Sequence, residues 1–257
     1  MSIDLELDEG IALITLNRPE KRNALDAEHY AALSEAWARV RDDTDIRVAI
    51  VTGAGSVSFC AGADLKSWIG RPAALSELWQ TQKDMLLNRG MEVWKPVIAA
   101  VNGYCIGGGM TLLMATDLRL AVPGASFALS EVKRGIIAAN GGTQRIMRQL
   151  PHAIAMEMLL TGNRMDAETA ARWGLINRVV EPDELLPAAF EIARQIAANA
   201  PLAVQASKEL ALQGQSQALT PGLRMEQFVN RILSQSDDSS EGRAAFAERR
   251  PPDFKGQ

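Results

Sequence analysis

Apolar and polar residues alternate over residues 3–7 and again over 11–16, with Asp8-Glu9-Gly10 between them. Two alternating runs around a short glycine-ended link predict a β-hairpin. Residues 17–23 (Asn-Arg-Pro-Glu-Lys-Arg-Asn) read as a polar loop, and Asp26 is placed to cap a helix running to about residue 41. Residues 47–52 predict a strand and 73–94 a helix. The stretch 97–101 is apolar at every position and closes on Asn102-Gly103, the pattern of a buried strand. Gly107-Gly108-Gly109 then opens an apolar helical segment reaching residue 115, followed by short strands at 118–122 and 126–129. From Gly141 the pattern turns helical, over 142–150, 153–161 and 166–173, with one further strand at 175–180. Helices at 182–200, 201–213, 220–234 and 237–248 follow, with prolines near helix starts where a missing N–H is harmless. Strands separated by helices imply repeated ββα or βαβ units. Periodicity alone does not choose between a spiral of such units and a doubly wound sheet.

Composition narrows the class. The chain has 257 residues, a formal net charge of −4 and two cysteines, Cys60 and Cys105. Scattered charge with a negative balance argues against a nucleic-acid surface held by bulk electrostatics. Two cysteines in apolar or small-residue surroundings suit reduced thiols. Residues 1–10 do not resemble a targeting peptide, and no apolar run approaches the roughly 20 residues that span a bilayer. A soluble cytoplasmic enzyme is the expectation.

Two stretches give up packing quality. Glycine costs about 1 kcal/mol against alanine inside a helix, so three in a row call for a reason. One is a plain turn between strand and helix. The other is close approach of a ligand to free N–H groups at a helix start. The second stretch, Cys60-Ala61-Gly62-Ala63-Asp64-Leu65-Lys66, is equally backbone-rich and follows an apolar strand, and Asp64 is able to cap what comes after it. Two such junctions can each aim one N–H at a single oxygen, the geometry of an oxyanion hole.

These residues carry a resemblance to the crotonase, or enoyl-CoA hydratase/isomerase, superfamily. The matching positions run in order: Asn17-Arg18-Pro19 with Asn23-Ala24-Leu25, residues 60–66, residues 95–103 with the glycine triplet, Asp117, Glu131, and Gly141-Gly142-Thr143-Gln144-Arg145. The resemblance implies an α/β fold, a crotonase-type spiral of repeated ββα units (residues 1–181) with a helical C-terminal region (182–257) used for trimerisation. Apolar positions Ile192, Ile196, Leu202, Val204 and Leu210 are expected to seek a neighbouring subunit. It also implies an acyl-CoA thioester as substrate, with coenzyme A as part of that substrate and neither metal nor redox cofactor. The expected assembly is a homotrimer or a dimer of trimers, with no nucleic-acid or membrane partner.

Residue by residue, the resemblance makes the N–H groups of Ala63 and Gly108 the oxyanion donors and Glu131 the catalytic acid/base. Local sequence alone favours a surface residue pairing with Lys133 or Arg134, and the resemblance reverses that reading. Arg22, Ala24, Asp64, Leu65, Lys66 and Thr111 are expected to contact substrate, Lys66 near the coenzyme A phosphates. Thr111 is a departure, because hydratases of the family carry a second glutamate there, and a hydroxyl cannot take a proton from water at neutral pH. The lone carboxylate favours isomerase-like proton transfer. Decarboxylation, hydrolysis and a non-catalytic, RNA-associated role are the alternatives. His29 and His152 lack partners at metal spacing and are expected to be exposed or capping. Cys60 and Cys105 read as small buried side chains, Asp117 as a structural group bonded to backbone or an arginine, and Asn140 first as the cap of the helix from Gly141 and second as a group pointing into the acyl pocket. Residues 249–255 read as a loose end.

Overall fold

The computed structural model describes residues 3–64, 66 and 86–257. The alternating N-terminal runs form the expected hairpin, β1 (Ile3–Asp8) antiparallel to β2 (Ile11–Leu16). Glu9 and Gly10 turn the corner at φ 46° and 79°, the left-handed pair that matches strand twist. β2 continues into a parallel sheet through β3 (Val48–Gly53), β5 (Val97–Val101), β7 (Leu118–Ala121) and β10 (Arg178–Val179), in the order β1-β2-β3-β5-β7-β10. β5 lies between β3 and β7 and is buried throughout, which is why its run carries no polar side chain.

A second sheet has the order β4-β6-β8-β9, built from β4 (Ser58–Cys60), β6 (Tyr104–Ile106), β8 (Ser126–Ala128) and β9 (Met165–Asp166). Its strands are two or three residues long, too short to show a period of two. β4 follows β3, β6 follows β5 and β8 follows β7, so each turn of the chain lays one strand in each sheet. That is the expected spiral, and it excludes the doubly wound alternative. The glycine-opened helix, α2 (Gly108–Leu113), leaves directly from the end of β6.

Asn102 pins the corner between the sheets. Its side-chain amide donates to the carbonyls of Gly53 (2.7 Å) and Gly55 (2.6 Å) and accepts from Gly53 N–H (3.2 Å). The next residue must be small, since a Cβ on Gly103 would fall on the Val57 carbonyl.

α1 (Ala27–Asp42) begins as expected, the Asp26 carboxylate accepting the N–H groups of Glu28 and His29, both at 3.1 Å. Its inner face buries His29, Tyr30, Leu33, Ala36, Trp37 and Val40. His29 is therefore buried rather than exposed: the capping carboxylate also holds its Nδ1 at 2.7 Å. Of the helix expected over 73–94, residues 73–85 lie outside the described residues. Residues 87–94 do not continue it; a single 3₁₀ turn (Leu87–Arg89) ends at Gly90 with φ 93°, and extended chain follows. The strand expected over 175–180 shrinks to Arg178–Val179. Leu175 and Ile176 N–H both turn back to the Ala170 carbonyl, closing α5 (Ala167–Arg172), and the Asn177 side chain accepts the Arg119 N–H.

α3 (Gly142–Gln149) and α4 (His152–Thr161) lie between β8 and β9. α6 (Leu185–Ala197) does not wait for another subunit: it packs on β3 and β5 through Leu185, Ala189 and Ala193, and Ile192 and Ile196 lie against the same core. Burial is shallower in α7 (Pro201–Gly214), α8 (Leu219–Leu233) and α9 (Asp237–Glu248). On α8 the side chains of Leu219, Leu223, Phe228 and Ile232 stand exposed. The chain end is docked, not loose. The N–H groups of Lys255 and Gly256 donate to buried Asp238, and Arg47 donates to the Phe254 carbonyl.

Asn102→Ala removes three hydrogen bonds at once and strands buried backbone groups. The expected loss is on the order of 3 kcal/mol, read as a lower denaturant midpoint with an unchanged slope. An unaltered midpoint would mean that the corner is held by packing alone.

Candidate active site

Each glycine of the triplet is required by a different neighbour. At Gly107 (φ 56°) a Cβ would stand 3.3 Å from Glu131 Oε1; at Gly108 it would stand 3.2 Å from Gly62 Cα and 3.4 Å from Ala63 N. At Gly109 it would fall on the Cys60 carbonyl. The reverse also holds, since a Cβ on Gly62 would lie 2.8 Å from Gly108 N. The two strand-to-helix junctions therefore meet backbone to backbone. Their neighbours' N–H groups are occupied: Ala61 donates to Arg22 O, Asp64 to Leu25 O and Gly107 to Ala128 O, at 2.9–3.0 Å. Those of Ala63 and Gly108 have no partner among the described residues.

Both junctions line a cavity of about 190 Å³ that also holds Tyr30, Thr111, Glu131, Arg134, Ile136, Ile137 and Asn140. Glu131 opens a 3₁₀ turn (Glu131–Arg134) directly after the second sheet. Its Oε2 is buried without a hydrogen-bond partner, and burial raises its carboxyl above the ordinary glutamate range, opposed by a bond to its own N–H and by nearby Arg134. Glu131 makes no ion pair with Lys133 or Arg134 among the described residues; Lys133 bonds Asn163 and Arg134 bonds Ser130. The structure so brings Ala63, Gly108, Glu131 and Thr111 into one space. A larger cavity of about 740 Å³ lies elsewhere, beside Asp117 and Lys208, and Ala63, Gly108 and Glu131 are not among its described lining residues.

Thr111 is buried and its hydroxyl is engaged, donating to the Gly108 carbonyl (3.0 Å) and accepting from Asn88 Nδ2 (2.9 Å). One acceptor lone pair remains. The Arg22–Ala24 loop is stitched to the Ala63 segment: Leu25 N–H donates to Gly62 O, and Arg18 bridges the Ala24 carbonyl and the Asp64 carboxylate. Arg22 itself, at φ 54°, stacks 5.7 Å from the Tyr104 ring. Asp64 is thus occupied by Arg18 and by capping the Lys66 N–H at 3.2 Å. Lys66 is exposed, and Leu65 lies outside the described residues.

The remaining candidates are structural. Burial pushes the Cys60 thiol up to about 12 and the Cys105 thiol well up as well, so both stay protonated. Asp117 accepts the Val97 N–H and pairs with Lys208 at 2.7 Å, a lysine rather than an arginine. His152 starts α4 on the surface. Asn140 does not cap α3: it takes φ 54° and Gly141 takes φ 86°, so Gly141 becomes the boundary residue and Asn140 turns toward the cavity.

Three residues escaped sequence reasoning. Tyr30 falls on the buried stripe of α1 and reads as core. Asn88 and Arg89 sit in a stretch that read as continuous helix; only Gly90 after them hinted at a stop.

Comparison with known proteins identifies the family and the fold. The chain matches the family described as enoyl-CoA hydratase/isomerase over residues 6–257. An (E)-benzylidenesuccinyl-CoA hydratase of Thauera aromatica is 45% identical over 256 residues, covering 100% of both chains. A carnitinyl-CoA dehydratase of Salmonella arizonae is 43% identical, covering 99% of this chain and 98% of its own. Among solved structures, an enoyl-CoA hydratase of Bacillus anthracis superposes with a TM-score of 0.93 at 35% identity over 100% of both chains. One from Mycobacterium tuberculosis gives 0.92 at 36%, over 100% of this chain and 99% of its own. With a shared spiral, shared sequence over nearly its whole length and the paired glycine junctions in place, the chain belongs to the enoyl-CoA hydratase/isomerase family.

Proposed function

We propose that this enzyme adds water across the double bond of a 2-enoyl-CoA thioester, or removes water from the 3-hydroxyacyl-CoA to form that double bond, using Glu131 as its single acid/base. One observation carries the reading: a buried carboxyl oxygen shares a cavity with two N–H groups, none of the three having a partner among the described residues. The thioester carbonyl oxygen accepts from Ala63 N–H and Gly108 N–H, which stabilise the negative charge of an enolate. Each such donor is worth about 3–4 kcal/mol in a transition state. In hydration the water oxygen bonds to C3, its proton passes to Glu131, and the proton at C2 is supplied from the same carboxyl group. Dehydration runs the steps backwards. Burial suits Glu131 to this work, because a raised carboxyl pKa makes a stronger base.

Relatives named hydratase and dehydratase support water chemistry despite the missing second carboxylate. Thr111 supports a second reading. Its hydroxyl already donates to Gly108 O, so it can accept a hydrogen bond from water without taking its proton. With one carboxylate, Glu131 could instead move a proton from C2 to C4 and shift a double bond. Arg22, Ala24 and Lys66 are assigned to the coenzyme A moiety, whose phosphates suit the cations of the loop. The exposed apolar row on α8 is assigned to a homotrimer interface, since contiguous apolar surface of this kind marks association.

Glu131→Gln is expected to lower kcat by roughly 10²–10⁴. In the wild type kcat/KM falls as pH drops through the raised Glu131 pKa, and this acid limb disappears in the variant; full activity in Glu131→Gln would refute the mechanism. Thr111→Ala separates the two readings. If Thr111 holds water, hydration of a 2-enoyl-CoA falls relative to migration of a 3-enoyl-CoA double bond, whereas an unchanged ratio favours isomerisation. Light scattering is expected to return a multiple of three chains, and a monomer at micromolar concentration would reject the assembly.

A further inference from the structure

Arg89 is a charge that the mechanism above does not use. It ends the 3₁₀ turn Leu87–Arg89, and its guanidinium lies 4.5 Å over the ring of Tyr30. Tyr30 is buried and lines the cavity, with its hydroxyl 3.4 Å from where a Cβ on Gly108 would stand. Arg89 is partly buried, its Nε is sealed from solvent without a hydrogen-bond partner, and no carboxylate pairs with it among the described residues. Two other buried or half-buried arginines, Arg119 and Arg18, have their charge engaged. Arg119 donates to Gln149 and to the carbonyls of Met114, Thr116 and Leu175, and Arg18 bridges Asp26 and Asp64.

Withdrawing a cation from water without pairing it is costly unless something later completes it. A guanidinium resting on an aromatic face keeps its donors in the ring-parallel plane, where a planar anion can meet them. The partner that fits is a carboxylate. Arg134 also borders the cavity, but it is exposed and its Nη1 already donates to Ser130 O and Oγ, both at 3.1 Å.

We infer that Arg89, held on Tyr30, is a specificity-determining residue that receives a carboxylate carried on the acyl chain of the substrate. This selects thioesters of dicarboxylic acids over those ending in a methyl group. The inference rests on the reading of the cavity as an acyl-thioester site, but its test does not depend on turnover. Saturated thioesters matched in length provide it: succinyl-CoA against butyryl-CoA, glutaryl-CoA against pentanoyl-CoA, and adipyl-CoA against hexanoyl-CoA, each titrated calorimetrically.

At least one carboxylate-ended member should bind about 10-fold or more tightly than its methyl-ended partner, as expected of charge-assisted hydrogen bonds. Arg89→Gln should erase that preference, Arg89→Lys should keep part of it, and Arg134→Gln should leave it in place. Equal or weaker binding of all three carboxylate-ended thioesters to the wild type would overturn the inference. So would a preference that survives Arg89→Gln or vanishes in Arg134→Gln. Loss of turnover in Glu131→Gln bears on the acid/base assignment and leaves these binding ratios untouched.

Discussion

Everything in this site depends on two stretches of backbone touching where side chains would keep them apart. Gly62 and Ala63 at the end of the first spiral turn meet Gly107 and Gly108 at the end of the second, so closely that a Cβ on Gly62 would stand 2.8 Å from Gly108 N and one on Gly108 3.2 Å from Gly62 Cα. The contact is prepared by the pairing of β4 with β6, whose register shifts between Ser58 and Cys60. Phe59, Cys60, Cys105 and Phe127 fill the space beneath without exposing any side chain. Cysteine is small and apolar enough for this packing, and its buried thiol stays protonated and inert. The glycines give up helix stability so that two main-chain donors can converge.

The electrostatic design that follows is sparing. The proposed oxyanion donors are neutral N–H groups, fixed in place before any substrate arrives, so charge developing on a carbonyl oxygen meets dipoles that need not reorganise. The only carboxyl group among the described residues of the cavity is partly dehydrated and correspondingly more basic. Thr111 braces the Gly108 carbonyl from below, Asn88 donates to Thr111, and Arg145 in turn donates to the Asn88 carbonyl. The first turn of α2 is thereby tied to the segment that carries Arg89. The proposed carboxylate contact and the proposed oxyanion donors thus share one hydrogen-bonded frame.

Most of the fold was legible because its signals are local. A fully apolar β5, an Asp26 cap and alternating hairpin strands each announce themselves within a few residues. Of the second sheet only β8 was legible, since Ser58-Phe59-Cys60 and Tyr104-Cys105-Ile106 are too short for any period and take their strand geometry from each other. His29 was misjudged because its partner is the same carboxylate that caps its helix, a double use that spacing does not reveal. α6 was expected to need another subunit, yet it covers the main sheet across a long sequence separation. Within the site, the glycine junctions and Glu131 stood out through their resemblance to a known family. Tyr30, Asn88 and Arg89 did not, because their roles arise only when α1, the 3₁₀ turn and α2 are brought together.

The central claim is that Glu131 moves a proton at the carbon beside a carbonyl held by Ala63 and Gly108. The most direct measurement is hydrogen exchange at that carbon in a substrate that can go no further: butyryl-CoA incubated with the enzyme in deuterium oxide and followed by mass spectrometry. Incorporation of deuterium beside the thioester is expected with the wild type and none with Glu131→Gln. A wild-type enzyme that turns over an enoyl-CoA yet leaves butyryl-CoA unlabelled, or a Glu131→Gln variant that labels it at the same rate, would contradict the account.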